Sequence, residues 1–368
     1  IAGATGSHII LDGSGNAFAA AVTMQAGNGS NAAFGNITFV DSAAVKLHTS
    51  AGTNGDLFID SHPDRAVGGN LSITATTGNI TQGAAVAVTG TSSFTTSASD
   101  ADITLSNTGN AFASAVTLST TGSTAHATID NGTTTLDIDT SSIGGDLTLI
   151  SGHASGITDS GNVTVGGNLA ATTNANNGLI NMGTLRVDGT VALTTNGNGA
   201  ATVVNDAGLT FAASTVRGAL SATATAGNMT DSGALTVSGT STFVTIANDA
   251  TITLDQGGHA FTGALLITTN DTGTDTAGDV TISAGSGAVL DFGNSTIDGD
   301  LIATSSNTTG ITDSGAMTVR GTASFQTTAA NADISLGTST LGDGTGTDTI
   351  TLNTTGSTGN ATLDNGTT

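Results

Sequence analysis

A chain of 368 residues with 53 Gly, one Pro, no Cys, Trp or Tyr, and only 9 % charged residues has no composition of an ordinary globular enzyme, in which about a quarter of residues are charged. The absence of Cys excludes disulfides and thiolate metal sites. A net charge of −23, carried entirely by Asp among the acids, argues against nucleic acid and against anionic lipid as partners, because both need basic patches. Membrane insertion by this segment is not expected, since the sequence has no apolar run long enough to span.

In chain order, the first 68 residues form a partial module. They include an irregular stretch, 45–66, with Lys46, His48, Asp56-Leu57-Phe58-Ile59-Asp60, His62, Pro63, Asp64 and Arg65. Val22 to Leu71 spans 49 residues where Val116 to Leu147 spans 31, so an extra coil with a loop is expected here. Loops that interrupt a regular scaffold often carry function. The cations and imidazoles Lys46, His48, His62 and Arg65 are therefore the candidate binding patch.

From residue 69 onward two phrases alternate. Gly69-Asn70-Leu71, Gly145-Asp146-Leu147, Gly218-Ala219-Leu220 and Gly299-Asp300-Leu301 open modules at 69–144, 145–217, 218–298 and, in part, 299–368. Each leads to a second phrase: Ile80-Thr81-Gln82-Gly83, Ile157-Thr158-Asp159-Ser160-Gly161, Met229-Thr230-Asp231-Ser232-Gly233 and Ile311-Thr312-Asp313-Ser314-Gly315, at intervals of 77, 72 and 82 residues. Residues 117–134 and 351–368 agree at 14 of 18 positions, the mark of a duplicated unit.

Within modules an apolar–polar–apolar beat recurs, as in Val163-Thr164-Val165, Leu235-Thr236-Val237 and Met317-Thr318-Val319. Period two places Val163, Val165, Leu235, Val237, Met317 and Val319 on the inner face and Thr164, Thr236 and Thr318 on the outer. Gly, Asn and Asp between beats supply tight corners, and helix formers such as Glu and Lys are nearly absent. Steps of about 20–30 residues between matching beats are one turn of a β-helix. The expectation is an all-β, β-solenoid fold of about 15 coils, roughly three per module, as one continuous segment over 1–368, with Phe in core stacks and Thr rows facing water. Ile1 and Thr368 fall in mid-module, and the expectation drawn from this is covalent continuation or end-to-end stacking of copies along a fibre axis.

Candidate chemistry is sparse. Asp271, Asp275 and Asp279 lie in a Gly-rich stretch, but neither the EF-hand spacing nor the nonapeptide of calcium-binding β-rolls is present, so no metal is expected. Paired carboxylates would suit glycoside hydrolysis. However, Asp159, Asp231 and Asp313 recur at one phase, whereas a catalytic constellation should occur once. The six His form no HxH or HExxH spacing. No catalytic residue and no cofactor is expected, and a polysaccharide-active enzyme ranks last among the readings. Sequons such as Asn36, Asn70, Asn79, Asn228 and Asn294 abound, in a chain rich in Asn and Thr.

The run Gly227-Asn228-Met229-Thr230-Asp231-Ser232-Gly233-Ala234-Leu235-Thr236-Val237-Ser238-Gly239-Thr240 resembles the bacterial β-strand-repeat surface proteins, related in style to filamentous-haemagglutinin-type and autotransporter adhesins. The resemblance is to a style of repeat and covers nearly the whole chain. It implies a right-handed parallel β-helix, bacterial export, and a matrix or adhesive role at the cell surface, with host or cell-surface glycans or proteins as partners.

Overall fold

The computed structural model describes residues 8–18, 22–24, 35–48, 56–59, 67–270, 272, 277–342 and 347–366. Among them there is no helix; the chain is a β-solenoid of short parallel strands in about 13 turns, close to the number expected. Among the described residues no helix is long and apolar enough to cross a membrane. The chain divides into two compact units, Ile1–Gly189 and Thr190–Thr368.

In the first unit, one face stacks Ile37–Asp41, Leu71–Ala75, Ser92–Ser99 and Val116–Thr121 in parallel register. The facing sheet stacks Ile80–Gln82, Ile103–Leu105, Ala127–Asp130, Leu147–Ser151 and Leu169–Asn176. A short third side pairs Ala87–Val88 with Ala111–Phe112. In the second unit Ala201–Asn205, Leu220–Ala224, Ser241–Thr245 and Leu265–Thr268 form one face. Ile252–Phe261, Val280–Ala284, Leu301–Ser305 and Ala323–Ala330 form the other.

The modules are not whole numbers of coils. Between Leu71 and Leu147 the chain completes three coils and half of a fourth, so these equivalent residues start strands on opposite faces of the first unit. The second unit repeats this: Leu220 lies on one face and Leu301 on the other. The expectation of roughly three coils per module is met to within half a coil.

The inward–outward register holds. Val163, Val165, Leu235, Val237, Met317 and Val319 are buried, while Thr164, Thr236 and Thr318 point outward, half-buried. Phe39, Phe94, Phe112, Phe211, Phe243, Phe261, Phe292 and Phe325 are fully buried, and several meet edge to face, as Phe94 does Phe112 at 5.7 Å.

Thr is not only an outer residue, contrary to the expectation of Thr rows facing water. Thr96, Thr120, Thr173, Thr245 and Thr327 are buried, and each hydroxyl donates to the carbonyl five residues on, at Ala101, Ala125, Gly178, Ala250 and Ala332 respectively. The methyl fills the core while the hydroxyl satisfies a carbonyl that the corner takes out of the sheet. Four of these corners pass through a left-handed residue, Asp100, Asn177, Asp249 or Asn331, with φ of 61–63°. These are the residue types that tolerate that region.

Strands that bend need another device. Val116–Thr121 faces two strands, Leu136–Ile138 and Ser141–Ile143, and the ladder breaks between them. The orphaned Leu118 N–H donates to Ser141 Oγ at 2.9 Å, and that hydroxyl donates to Asp139 O. Ser214 does the same for Leu193, and Ser295 for Ile267.

The irregular stretch also has a structure-level surprise. Val45–His48 pairs with Ile80–Gln82 on one side and with Asp56–Ile59 on the other, and Asp56–Ile59 in turn pairs with Val22–Met24. The later strand therefore lies between two earlier ones. Because Ile37–Asp41 pairs directly with Leu71–Ala75, the described residues hold one additional rung of the facing sheet and not the extra coil expected.

Candidate functional site

The recurring phrase Ile-Thr-Asp-Ser-Gly is the first place to look for chemistry, because it concentrates carboxylates at one phase. Its Ile points inward and its third residue reaches out to the next coil. In two copies the Gly ahead of it, Gly156 and Gly310, has φ of +68° and +97°, and an added Cβ would stand 1.7 Å from Leu179 O and 1.9 Å from Asp333 O. Only Gly permits that approach.

In the first unit Asp159 accepts the Gly183 and Thr184 N–H groups, both at 2.8 Å, and the Thr184 hydroxyl at 2.9 Å. In the second, Asp313 accepts Gly337 N–H at 2.7 Å, Thr338 N–H at 2.9 Å, and the Thr338 and Ser339 hydroxyls. Gln82, at the same place in its phrase, accepts Asn107 N–H and bonds the Asn110 amide. The third residue of each of these phrases clamps the outward loop of the following coil. Asp313→Ala should cost about 1–2 kcal/mol of unfolding free energy, the worth of hydrogen bonds to a partly exposed carboxylate. Asp313→Asn should recover roughly half; urea denaturation with each variant checks it.

Asp231 departs from the pattern. Its side chain is fully buried, and Oδ2 lies 3.0 Å from Nε2 of a fully buried His259. Asp255 N–H donates to Asp231 Oδ1 at 3.1 Å, and Leu235 N–H donates to His259 Nδ1 at 2.9 Å. The imidazole stacks on Phe261 at 5.5 Å. A backbone donor on Nδ1 fixes the proton of the neutral ring on Nε2, facing Asp231. Burial pushes His259 below the ordinary imidazole range, against the opposing attraction of Asp231 and Asp255. Leu235 N–H thus occupies the Nδ1 lone pair, while Nε2 and Asp231 Oδ2 approach to 3.0 Å without the alignment of a hydrogen bond, and both atoms are closed off from solvent. Sequence reasoning passed over His259; the signal was that the third phrase alone is followed by His where its counterparts have Gly-Thr or Asn.

A second polar column runs up the corners. In the first unit Asn36 Oδ1 accepts Asn70 N–H, and Asn70 Oδ1 accepts Thr91 N–H. Beside it Asn79 serves Asp102, Asp102 serves His126, His126 Nδ1 serves Asp146, and Asp146 serves Asn168. In the second unit Asn228 serves Thr251, Asp279 serves Asp300, and Asp300 serves Thr322. Each acceptor stands just before a strand whose first residue points in and second points out. An acceptor, then apolar, then Thr reads as a sequon when the acceptor is Asn, as at Asn79 and Asn228. Asp102, Asp146 and Asp279 fill the same position without forming one. The corner geometry accounts for these sequons without sugar.

Of the candidate patch, Lys46 is exposed on the outer side of Val45–His48, and the His48 backbone belongs to the same strand, while His62 and Arg65 lie outside the described residues. Asp271 and Asp275 also lie outside them; the Asp279 carboxylate is occupied with Asp300 N–H at 2.9 Å. Among the described residues no three His or Asp side chains group as a metal site would require.

A family described as repeats of unknown function (DUF5649) matches residues 34–119 and 198–268, less than half of the chain. No curated protein and no solved structure matches. The family match, the phrase intervals and the stacked coils agree on the coarse conclusion that this chain is a repeat protein built as a β-solenoid.

Proposed function

We propose that this chain is a structural repeat region of an extracellular surface or matrix filament, with no catalytic role. The observation that carries the reading is the use made of the recurrent carboxylates. Asp159 and Asp313 spend both oxygens holding the next coil, and the corner column spends Asn, Asp and His the same way. A polar inventory committed to coil-to-coil bonding is what a load-bearing shaft needs, and the remaining carboxylates keep neighbouring copies apart. Partners on this reading are copies or continuations of the chain, and the style of repeat supports the outer surface of a bacterium as the location. Immunogold electron microscopy of native cells, with antibody raised to this chain, should show label along ordered extracellular fibres. Label confined to the cell interior would overturn the proposal.

A second reading, the shaft of an adhesin with a receptor-binding patch, is favoured by one feature. In a chain of net charge −23, an exposed Lys46 sits on a strand flanked by the out-of-order rung, and His48, His62 and Arg65 are close in sequence. On that reading, microscopy shows isolated rods on cells, and alanine at Lys46, His62 and Arg65 lowers attachment to glycan or protein surfaces. Unchanged attachment removes it.

A further inference from the structure

The Asp231–His259 pair breaks the clamp pattern in a way that has a use beyond holding a coil. Asp313 clamps its loop with a carboxylate and no imidazole, whereas Asp231 holds one across a buried 3.0 Å contact. Between the two halves of strand Ile252–Phe261 the register with Val280–Ala284 shifts, and Asp255, Gln256, Gly257 and Gly258 stand exposed to solvent. His259 is the point at which this excursion re-enters the core.

We propose that residues 255–259 form an acid-released latch in the second unit, closed by neutral His259 and opened when its imidazole takes a proton. The new proton must sit on Nδ1, where Leu235 N–H already points at 2.9 Å. Two N–H groups then face one another, so the ring can be protonated only by leaving its place. The titratable groups facing the imidazole are Asp231 from strand Met229–Asp231 and Asp255 from its own strand. The other strands packed there, Leu209–Phe211, Leu235–Val237 and Val280–Ala284, contribute none. The two carboxylates attract an imidazolium, and burial and the Leu235 donor oppose it; burial is the largest influence. The sign follows. A histidine held below its ordinary value stabilises the closed form above about pH 6.5, and that contribution falls as pH drops below it.

Hydrogen exchange read by mass spectrometry on the intact chain tests this, with rates corrected for intrinsic pH dependence. Peptides covering 229–237 and 252–261 should open on the order of 30-fold more often at pH 5.0 than at pH 7.5 if protonation requires opening and the free imidazole titrates near 6.5. Peptides covering the Asp313 clamp and residues 337–339 should not change; they are the internal control. His259→Gln, whose amide can accept from Leu235 and cannot titrate in this range, should abolish the difference. Should that variant fail to fold, imidazole NMR of the unaltered chain decides: His259 should titrate only together with loss of Leu235 amide protection. Protection of 229–261 that is independent of pH, a dependence that survives His259→Gln, or titration of His259 with Leu235 still protected would each overturn the proposal.

Discussion

Phe243→Ala should lower the unfolding free energy by about 4 kcal/mol, within the usual range of about 3–5 kcal/mol for emptying a buried Phe site. Phe243 is fully buried and sits between Phe211 and Phe261, with ring centroids at 6.1 and 5.8 Å and both contacts edge to face. Removing the ring opens a cavity and ends both aromatic contacts at once. The flanking strands are paired through their full length, so they cannot close on the gap without losing register. Because each coil of a solenoid touches only its neighbours, the loss should appear as local melting. Chemical denaturation followed by hydrogen exchange should show 209–267 opening ahead of the rest of its unit. Thr242→Ala, outward on the same strand, should stay within about 0.5 kcal/mol.

Asn110→Ala is the second large expected effect, about 3 kcal/mol. Asn110 is buried, and its amide ties together three successive coils. Oδ1 accepts Val86 N–H at 2.9 Å and the Gln82 amide at 2.8 Å. Nδ2 faces Leu105 O at 3.1 Å, Asp130 O at 2.9 Å and Gln82 Oε1 at 3.0 Å. Alanine leaves buried backbone groups unpaired, each costing about 1–3 kcal/mol. Asn110→Asp should be worse than alanine at neutral pH, although it is nearly the same shape. An ionised carboxylate would turn an oxygen toward three acceptors. Held there, the new carboxyl has a raised pKa in the folded state, so the variant should regain stability as pH falls and the group protonates. Urea denaturation of both variants at pH 7.5 and pH 5.0 checks this. Aspartate equal to or better than alanine at pH 7.5 would show that the Nδ2 contacts do not matter.

Much of this architecture was legible from the beat. Val163-Thr164-Val165 states by itself which side chains face the core, because a strand has only two faces and one must be apolar. The corners were harder to read. Thr96 and Thr164 are the same residue type with opposite fates: one closes a corner from inside, the other faces out. The difference lies in a carbonyl five residues away that only the bend exposes. Ser141 gives no signal either, since its partner, Leu118 N–H, is orphaned only because two bent strands face one straight strand. The Asp56–Ile59 rung defeats sequence order outright, since pairing between an earlier and a later strand has no local signature. The carboxylates of the phrase were visible as repeated and therefore suspect as catalysts. That they clamp, and that one copy has recruited His259, needed the neighbouring coil to be seen.

The half coil in the modules that open at Leu71 and Leu220 has a consequence for how such a chain can change length. Inserting or deleting one such module turns everything beyond it by half a revolution, so a surface that pointed one way points the other. Inserting or deleting two restores the original direction. Recombination between adjacent copies of Gly-Asn-Leu or Ile-Thr-Asp-Ser-Gly therefore changes the parity of the display as well as its reach. A lineage under selection to keep a feature on one side would gain and lose modules in even numbers. A lineage free of that demand would show odd counts as often as even ones.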